Sequence, residues 1–367
     1  MLAWDGLTRE KKSLVITYAL IILGVYVLVI VYSASAMYRN RMMSDMKHTL
    51  RMNPTAAEPG RTPPDPLPDT NSHVTVTLGT YIDDIDSLSI KDSVWSANFY
   101  IWYKWQGDAK LDPGGKLVLV DGVINKKELL EDYHDAGGIN YQRYRISAKI
   151  IKFFDTARVP IEDHMLNIYV EDGSRDGTKL RFVADETSNI SSRLNIPGFR
   201  ITSAGNVVKT HTYKSSYGDP RISPDTRKVF SQYIAAIQIR RIDFGFYFKI
   251  FLSLFAASLL TLSSFFIKAS DVGPRFALPT GAYFGAVANT YLANSLIPSS
   301  GSFGLVDHIG GIGLFTIFIS IAVSMLSNYY TRKEEKELSV ALDRIMFWVV
   351  GVCCISANII VPWCARG

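Results

Sequence analysis

Residues able to do covalent or metal chemistry are sparse in this sequence and poorly spaced for it. His73, His134, His164, His211 and His308 are scattered, with no pair at a metal-ligand interval. There is no phosphate-binding glycine loop, no Gly-x-Ser-x-Gly elbow and no His-Glu-x-x-His. Catalysis is therefore not expected, and neither a metal nor an organic cofactor is. Cys353, Cys354 and Cys364 all lie in the last apolar stretch, where they read as small packing residues. None is left to cross-link the polar part of the chain. Cys364-Ala-Arg-Gly has Arg366 where a prenylation signal carries an aliphatic residue, so lipidation is not expected. The more informative polar groups are Thr280, Asn289, Thr290, Asn294 and Ser295, which interrupt the apolar stretch Phe276–Ile297. Polar residues in a membrane helix face a bundle interior or water. Gly281 and Gly285 have a spacing that suits close helix packing equally well, and Pro279 can bend the helix.

The elements that must position these residues are legible from composition. The chain has 367 residues, enough for two domains. Its net charge is only +5 and it has no long Lys/Arg cluster, so nucleic-acid binding is not expected. A helix needs about 20 apolar residues to cross the hydrocarbon core. Five segments qualify: Leu14–Tyr32, Ile250–Ile267, Phe276–Ile297, Ile309–Tyr330 and Ile345–Trp363. The first follows Arg9, Lys11 and Lys12, which suits a cytoplasmic N-terminus, although Arg39, Arg41 and Lys47 beyond it weaken that asymmetry. Ala34-Ser35-Ala36 resembles a signal-peptidase site, but the apolar run is long, and a retained anchor over residues 1–38 is the preferred reading. Lys268 with Arg275, and Arg332 with Lys333 and Lys336, mark two cytoplasmic loops, whereas 298–308 has no Lys or Arg and faces outward. Residues 39–72, rich in proline from Pro54 to Pro68, read as a linker. Residues 73–243 break into short alternating runs separated by Gly, Pro, Asn and Asp, the pattern of an antiparallel β-sandwich. Residues 244–367 form the four-helix membrane part. The fold class expected is therefore membrane α+β, with an extracellular or periplasmic sandwich, a four-helix bundle and an extra N-terminal helix.

Local motifs sharpen this order. Phe154-Asp155-Thr-Ala-Arg-Val-Pro160-Ile-Glu162-Asp-His-Met-Leu166 lies at a strand junction. Trp105-Gln-Gly-Asp108-Ala-Lys110-Leu111 follows an aromatic strand, and Arg240-Arg241 precedes Phe246-Tyr247 at the first helix of the bundle. Asp271-Val-Gly-Pro-Arg275 opens the next helix and Leu296-Ile-Pro298-Ser-Ser closes it. From about His73 onward the chain resembles the pentameric ligand-gated ion channels, or Cys-loop receptors. The Asp155–His164 segment looks like the family's loop at the base of the sandwich, with Pro160 matching, Ile161 standing for Phe and Glu162 for Asp. Its bracketing cysteines are missing, as in the prokaryotic branch. Lys110 stands for the family's Arg, and Leu254 for the proline often found in the first bundle helix.

The resemblance implies a homopentamer in the inner membrane, with the sandwich in the periplasm and short cytoplasmic loops. It implies an axial pore lined by Ala277, Gly281, Phe284, Ala288, Tyr291 and Ser295, with Phe284 as an apolar gate ring. Asp271, Gly273, Pro274 and Arg275 fall in its selectivity region. The permeating species are inorganic ions, and Asp271 leans the expectation slightly toward cations. A small-molecule or proton agonist is implied between neighbouring sandwiches, near Tyr100, Trp102, Tyr103, Tyr213 and Tyr217, whose rings suit a cationic amine. Asp155, Pro160, Glu162, Arg241 and Pro298 fall where binding is coupled to gating, with Glu162 and Arg241 as a candidate ion pair. Two other functions fit the same architecture: a non-conducting membrane sensor, and an envelope assembly protein. The N-terminal helix lies outside the resemblance.

Overall fold

The computed structural model describes residues 4, 6–57, 63, 65–67, 73–215, 218, 220, 227–242, 244–297 and 303–366. They form two units. One comprises Met1–Met43, Asp155–Glu162 and Asp243–Gly367, and the other Ser44–Phe154 and Asp163–Ile242.

The second unit is built on two-residue periodicity. In Val94–Gln106 the residues Trp95, Ala97, Phe99, Ile101, Tyr103 and Trp105 are buried and their neighbours are not, as strand geometry requires. Among the described residues ten strands result: β1 (Val74–Ser89), β2 (Val94–Gln106), β3 (Leu117–Leu119), β4 (Gly122–His134), β5 (Ile139–Ile151), β6 (Asp163–Asp172), β7 (Leu180–Ala184), β8 (Asn189–Ile190), β9 (Phe199–Tyr213) and β10 (Lys228–Arg241). One sheet has the order β4-β5-β2-β1-β7, with β8 also paired to β1; the other has the order β3-β6-β10-β9. The pairing is antiparallel except that β7 and β8 run parallel to β1, so the first sheet is mixed rather than wholly antiparallel. One buried cluster draws Leu78, Trp95, Phe99 and Ile146 from the first sheet and Leu166, Ile168, Tyr233 and Ile237 from the second. Each large apolar side chain so buried stabilises the fold by roughly 1.5–3 kcal/mol. Strand β4 loses the alternating burial of its neighbours past Ile124. It ends its sheet and exposes Lys126, Glu128, Glu131 and Asp132, charges that hinder further strand pairing at an edge.

The first helix extends past the anchor expected over residues 1–38. Helix α1 runs from Arg9 to Arg51, about 65 Å at 1.5 Å per residue. The stretch 39–51 has no Gly or Pro, and the helix ends just before Pro54, where proline disfavours helical geometry in the preceding residue. Residues from Ser44 onward pack on the second sheet. His48 Nδ1 is 3.1 Å from Asp163 Oδ2 and Arg51 Nη1 is 3.3 Å from Asn167 Oδ1. Lys209 Nζ donates to the Leu50 carbonyl at 2.7 Å and the Ala56 carbonyl at 3.1 Å. The segment expected as a free linker thus begins as a sheet-bound helix end.

The helical unit holds the first part of α1 with α2 (Phe244–Ser263), α3 (Val272–Leu296), α4 (Leu305–Arg332) and α5 (Lys336–Ala365). Among the described residues four helices are long and apolar enough to cross a membrane: α1, α2 with its short 3₁₀ extension to Phe266, α4 and α5. Helix α3 is not among them. Its 25 residues suffice in length, but Thr280, Asn289, Thr290, Asn294 and Ser295 dilute its apolar character. Helix α1 is largely uncovered and meets the unit through a few buried residues, Val15, Tyr26, Ser33 and Met37. Its Tyr26 hydroxyl donates to Thr316 Oγ1 on α4 at 2.9 Å, and Ser33 Oγ lies 3.0 Å from His308 Nδ1, both pairs buried.

Candidate pore helix and ligand-binding faces

Helix α3 has two opposed stripes. Arg275, Pro279, Ala282, Ala286, Asn289 and Ala293 are buried against the other helices. Ala277, Gly281, Phe284, Ala288, Tyr291 and Ser295, the residues expected along a pore, are all exposed. Phe284 is 67% exposed and Tyr291 79%. Both sets advance in steps of three or four, so each occupies one side of the helix. Small residues on the buried side let α2 approach, where Ser253 Oγ donates to Asn289 Oδ1 at 2.6 Å. Gly281 has open space where a Cβ would stand, so it makes no close helix contact within the chain. The close approach is at Gly313 of α4, where a Cβ would fall 2.4 Å from Leu254. Pro279 sits inside α3, and the helix continues through it.

At the start of α3, Asp271, Gly273 and Pro274 are exposed but Arg275 is fully buried. Its guanidinium donates to Asp343 of α5 through both terminal nitrogens, one at 2.8 Å, and to the Ile267 carbonyl at 3.0 Å. An isolated buried charge is costly, and this fork geometry neutralises it. Arg275 therefore does not project from the exposed stripe as a basic ring requires. Asp343 was not anticipated; its one signal is an acid at the polar edge of an apolar run.

Residues Asp155–Glu162 lie between β5 and β6 in the chain but belong to the helical unit. Asp155 is exposed and its carboxylate caps the Ala157 amide at 3.0 Å. Leu305 N, at the start of α4, donates to the Ala157 carbonyl at 2.7 Å, and Arg158 Nη1 donates to the Ala365 carbonyl at 3.4 Å. Ile161 packs into the helix cluster, and Pro160 and Glu162 are buried. In the sheet unit, the Arg241 guanidinium stacks over Phe199 at 4.3 Å. Pro298 and Tyr217 lie outside the described residues.

The aromatic residues of β2 divide by strand parity. Tyr100 and Trp102 point outward and, with Tyr81, Lys104, Tyr141, Arg143 and Thr187, line a shallow cleft of about 380 Å³. Trp102 lies across Gly79 on β1, where a Cβ would come within 2.3 Å of its ring. Its Nε1 donates to Asp185 Oδ2 at 2.9 Å, beside Lys104 Nζ at 2.7 Å and two Thr187 donors. Burial works to raise the Asp185 carboxyl, but hydrogen bonds from Lys104, Trp102 and Thr187 outweigh it and hold the group well below the usual carboxylate range. Tyr103 is a correction. It is one residue out of phase with Trp102, 0% exposed in the core, and burial pushes its phenol well above the usual value. It is not available to a ligand.

Tyr213 is on the other sheet. Its hydroxyl donates to buried Glu171 at 2.9 Å, and its ring lies 4.5 Å from that of His211. His211 Nδ1 and Gln232 Nε2 share the other Glu171 oxygen at 2.6 and 2.7 Å. Glu171, Asp185, Tyr81 and Tyr141 escaped the sequence reading because the pairings that gather them are nonlocal. Among the described residues, no group of three or more His, Cys, Asp or Glu is placed to hold a metal. Cys353, Cys354 and Cys364 are free thiols. No protein-family model and no curated protein matches the chain.

Proposed function

We propose that the chain is one subunit of a homopentameric ligand-gated ion channel with α3 lining an axial pore. The observation that supports this reading is the uncovered side of α3, which includes all six residues that the resemblance assigns to a pore, together with Thr280, Tyr283, Val287, Leu292, Asn294 and Leu296. Five copies around an axis bring five such stripes together and shield their polar members from lipid. Phe284 then forms an apolar constriction that gates by dewetting. With Arg275 held by Asp343, Asp271 is the charge left at that end of the stripe, which favours cations.

The two sheets around one core support the reading of this unit as a β-sandwich carrying the agonist site. Tyr100 and Trp102 belong to one sheet and Tyr213 to the other. A site using both draws them from two neighbouring subunits. The Asp155–Glu162 loop, bonded to α4 and α5, is the segment through which agonist binding reaches the helices. In this reading Glu162 and Arg241 form the coupling ion pair, the membrane is an inner membrane, the sheet unit is periplasmic and the basic loops are cytoplasmic.

The test is particle counting by imaging in detergent together with single-channel recording. Five subunits per particle and agonist-dependent openings altered by Phe284→Ala are expected. A monomer, or unchanged gating in Phe284→Ala, overturns the pore assignment. A rival reading, a non-conducting sensor, draws on the buried Tyr26–Thr316 and Ser33–His308 contacts that tie α1 to α4. Pentamers that never conduct in a bilayer favour it.

A further inference from the structure

A cleft of about 830 Å³ opens between the turn after α2 and the first turns of α5. Its lining includes three cations, Lys268, Lys336 and Arg344, and four aromatic rings, Phe265, Phe266, Phe347 and Trp348. The arrangement follows from chain position. Lys268 and Arg344 directly flank the apolar runs of α2 and α5, so they stand at the level where a hydrocarbon core gives way to headgroups. Asp271, exposed beside Ser270, is outside the lining, and three other acidic neighbours are held by contacts of their own. Glu335 pairs with Lys11 at 3.5 Å, Glu337 lies against Gly6, and Asp343 in the cleft wall is bound by Arg275. Lys336, between two glutamates in sequence, lines the cleft. Phe266 and Trp348 are largely exposed within the chain, and each has a ring contact with Phe347.

We infer that this cleft binds an anionic glycerophospholipid, its phosphate held among Lys268, Lys336 and Arg344 and its acyl chains laid along Phe266, Phe347 and Trp348. Basic clefts at the ends of membrane helices attract anionic headgroups, and an exposed aromatic wall suits acyl chains and not a water-soluble anion. The inference rests on reading α2 and α5 as membrane-spanning; it does not need the protein to conduct.

The experiment uses the full-length protein in phosphatidylcholine nanodiscs doped with brominated phosphatidylglycerol or, at equal fraction, brominated phosphatidylcholine. Fluorescence lost in the parent but not in Trp348→Phe isolates quenching at Trp348. Brominated phosphatidylglycerol is expected to quench this component more strongly. Lys268→Gln, Lys336→Gln and Arg344→Gln should each lower the preference by about fivefold, and the triple variant should abolish it. All three side chains are exposed, so these changes leave the packed core intact. Equal quenching by both lipids, or a preference kept in the triple variant, overturns the site. Loss of the preference on adding inorganic phosphate overturns the lipid assignment in favour of a free-phosphate site. Absence of quenching by either lipid sinks the proposal through its premise, by placing Trp348 outside lipid.

Discussion

At the scale of single residues, the polar groups that matter are those whose partners remove their cost of burial. Arg275 and Asp343 illustrate this, since removing one partner leaves an uncompensated buried charge. Asp343→Asn should destabilise the protein by about 3–5 kcal/mol in a detergent melt, while Arg275→Met with Asp343→Leu recovers much of that loss. Asp185 gives the sheet unit an acid limb. Its folded pKa is depressed below its ordinary 3.8, so its contribution is complete above about pH 5 and is lost as pH falls through the folded value. Asp185→Asn should lower stability at neutral pH by about 1–3 kcal/mol and flatten the decline in acid, measured by denaturant unfolding across pH. Gly79→Ala should cost about 1–3 kcal/mol and shift tryptophan emission, because a methyl there displaces the Trp102 ring.

At the scale of elements, α3 and α1 do different work. Helix α3 is less apolar than the four candidate spans, yet its stripe with Phe284 and Tyr291 is left uncovered by the described residues. If that stripe lines a gate, Phe284→Ala shifts agonist potency by about tenfold in concentration–response recordings, whereas Ala282, on the buried side, affects folding when enlarged. Helix α1 joins the bundle through directed contacts as well as apolar ones. Tyr26→Phe removes one interhelical hydrogen bond to Thr316 and should cost only about 0.6 kcal/mol in a detergent melt, the usual value within a membrane bundle.

At the scale of the whole molecule, the proposed ring makes a prediction that no single-chain function makes. Trp102 and Tyr213 lie on different sheets, so in a ring each agonist site takes one from each neighbour. Trp102→Ala and Tyr213→Ala should each abolish high-potency activation when expressed alone. Coexpressed, they should restore it in part, since some interfaces then carry neither substitution. Failure of complementation, with both variants assembled, counts against a site between subunits. A double-mutant cycle on Glu162 and Arg241, read as open probability, should give a coupling of about 0.5–3 kcal/mol if they pair in gating.

The sequence by itself determined what periodicity and composition encode. Alternation in Val94–Gln106 specifies a strand with one buried face, and the runs in α1, α2, α4 and α5 are apolar enough to be identified without knowing any neighbour. Spacing within α3 also placed Ala277, Gly281, Phe284, Ala288, Tyr291 and Ser295 on one side of a helix, because 3.6 residues per turn is a local rule. Tertiary structure alone decided the rest. Parity made Trp102 a surface residue and Tyr103 a core residue only once β2 was paired and one face of the sheet covered. The charges of β4 hid a strand whose exposed positions are set by its edge location. Residues 44–51 became a packed helix end through partners more than a hundred residues away, Asp163, Asn167 and Lys209. Likewise Arg275 could be read as a pore charge until Asp343, 68 positions on, claimed it. Local propensity acts within a few residues, whereas the choice of partner for a buried charge is made by the fold.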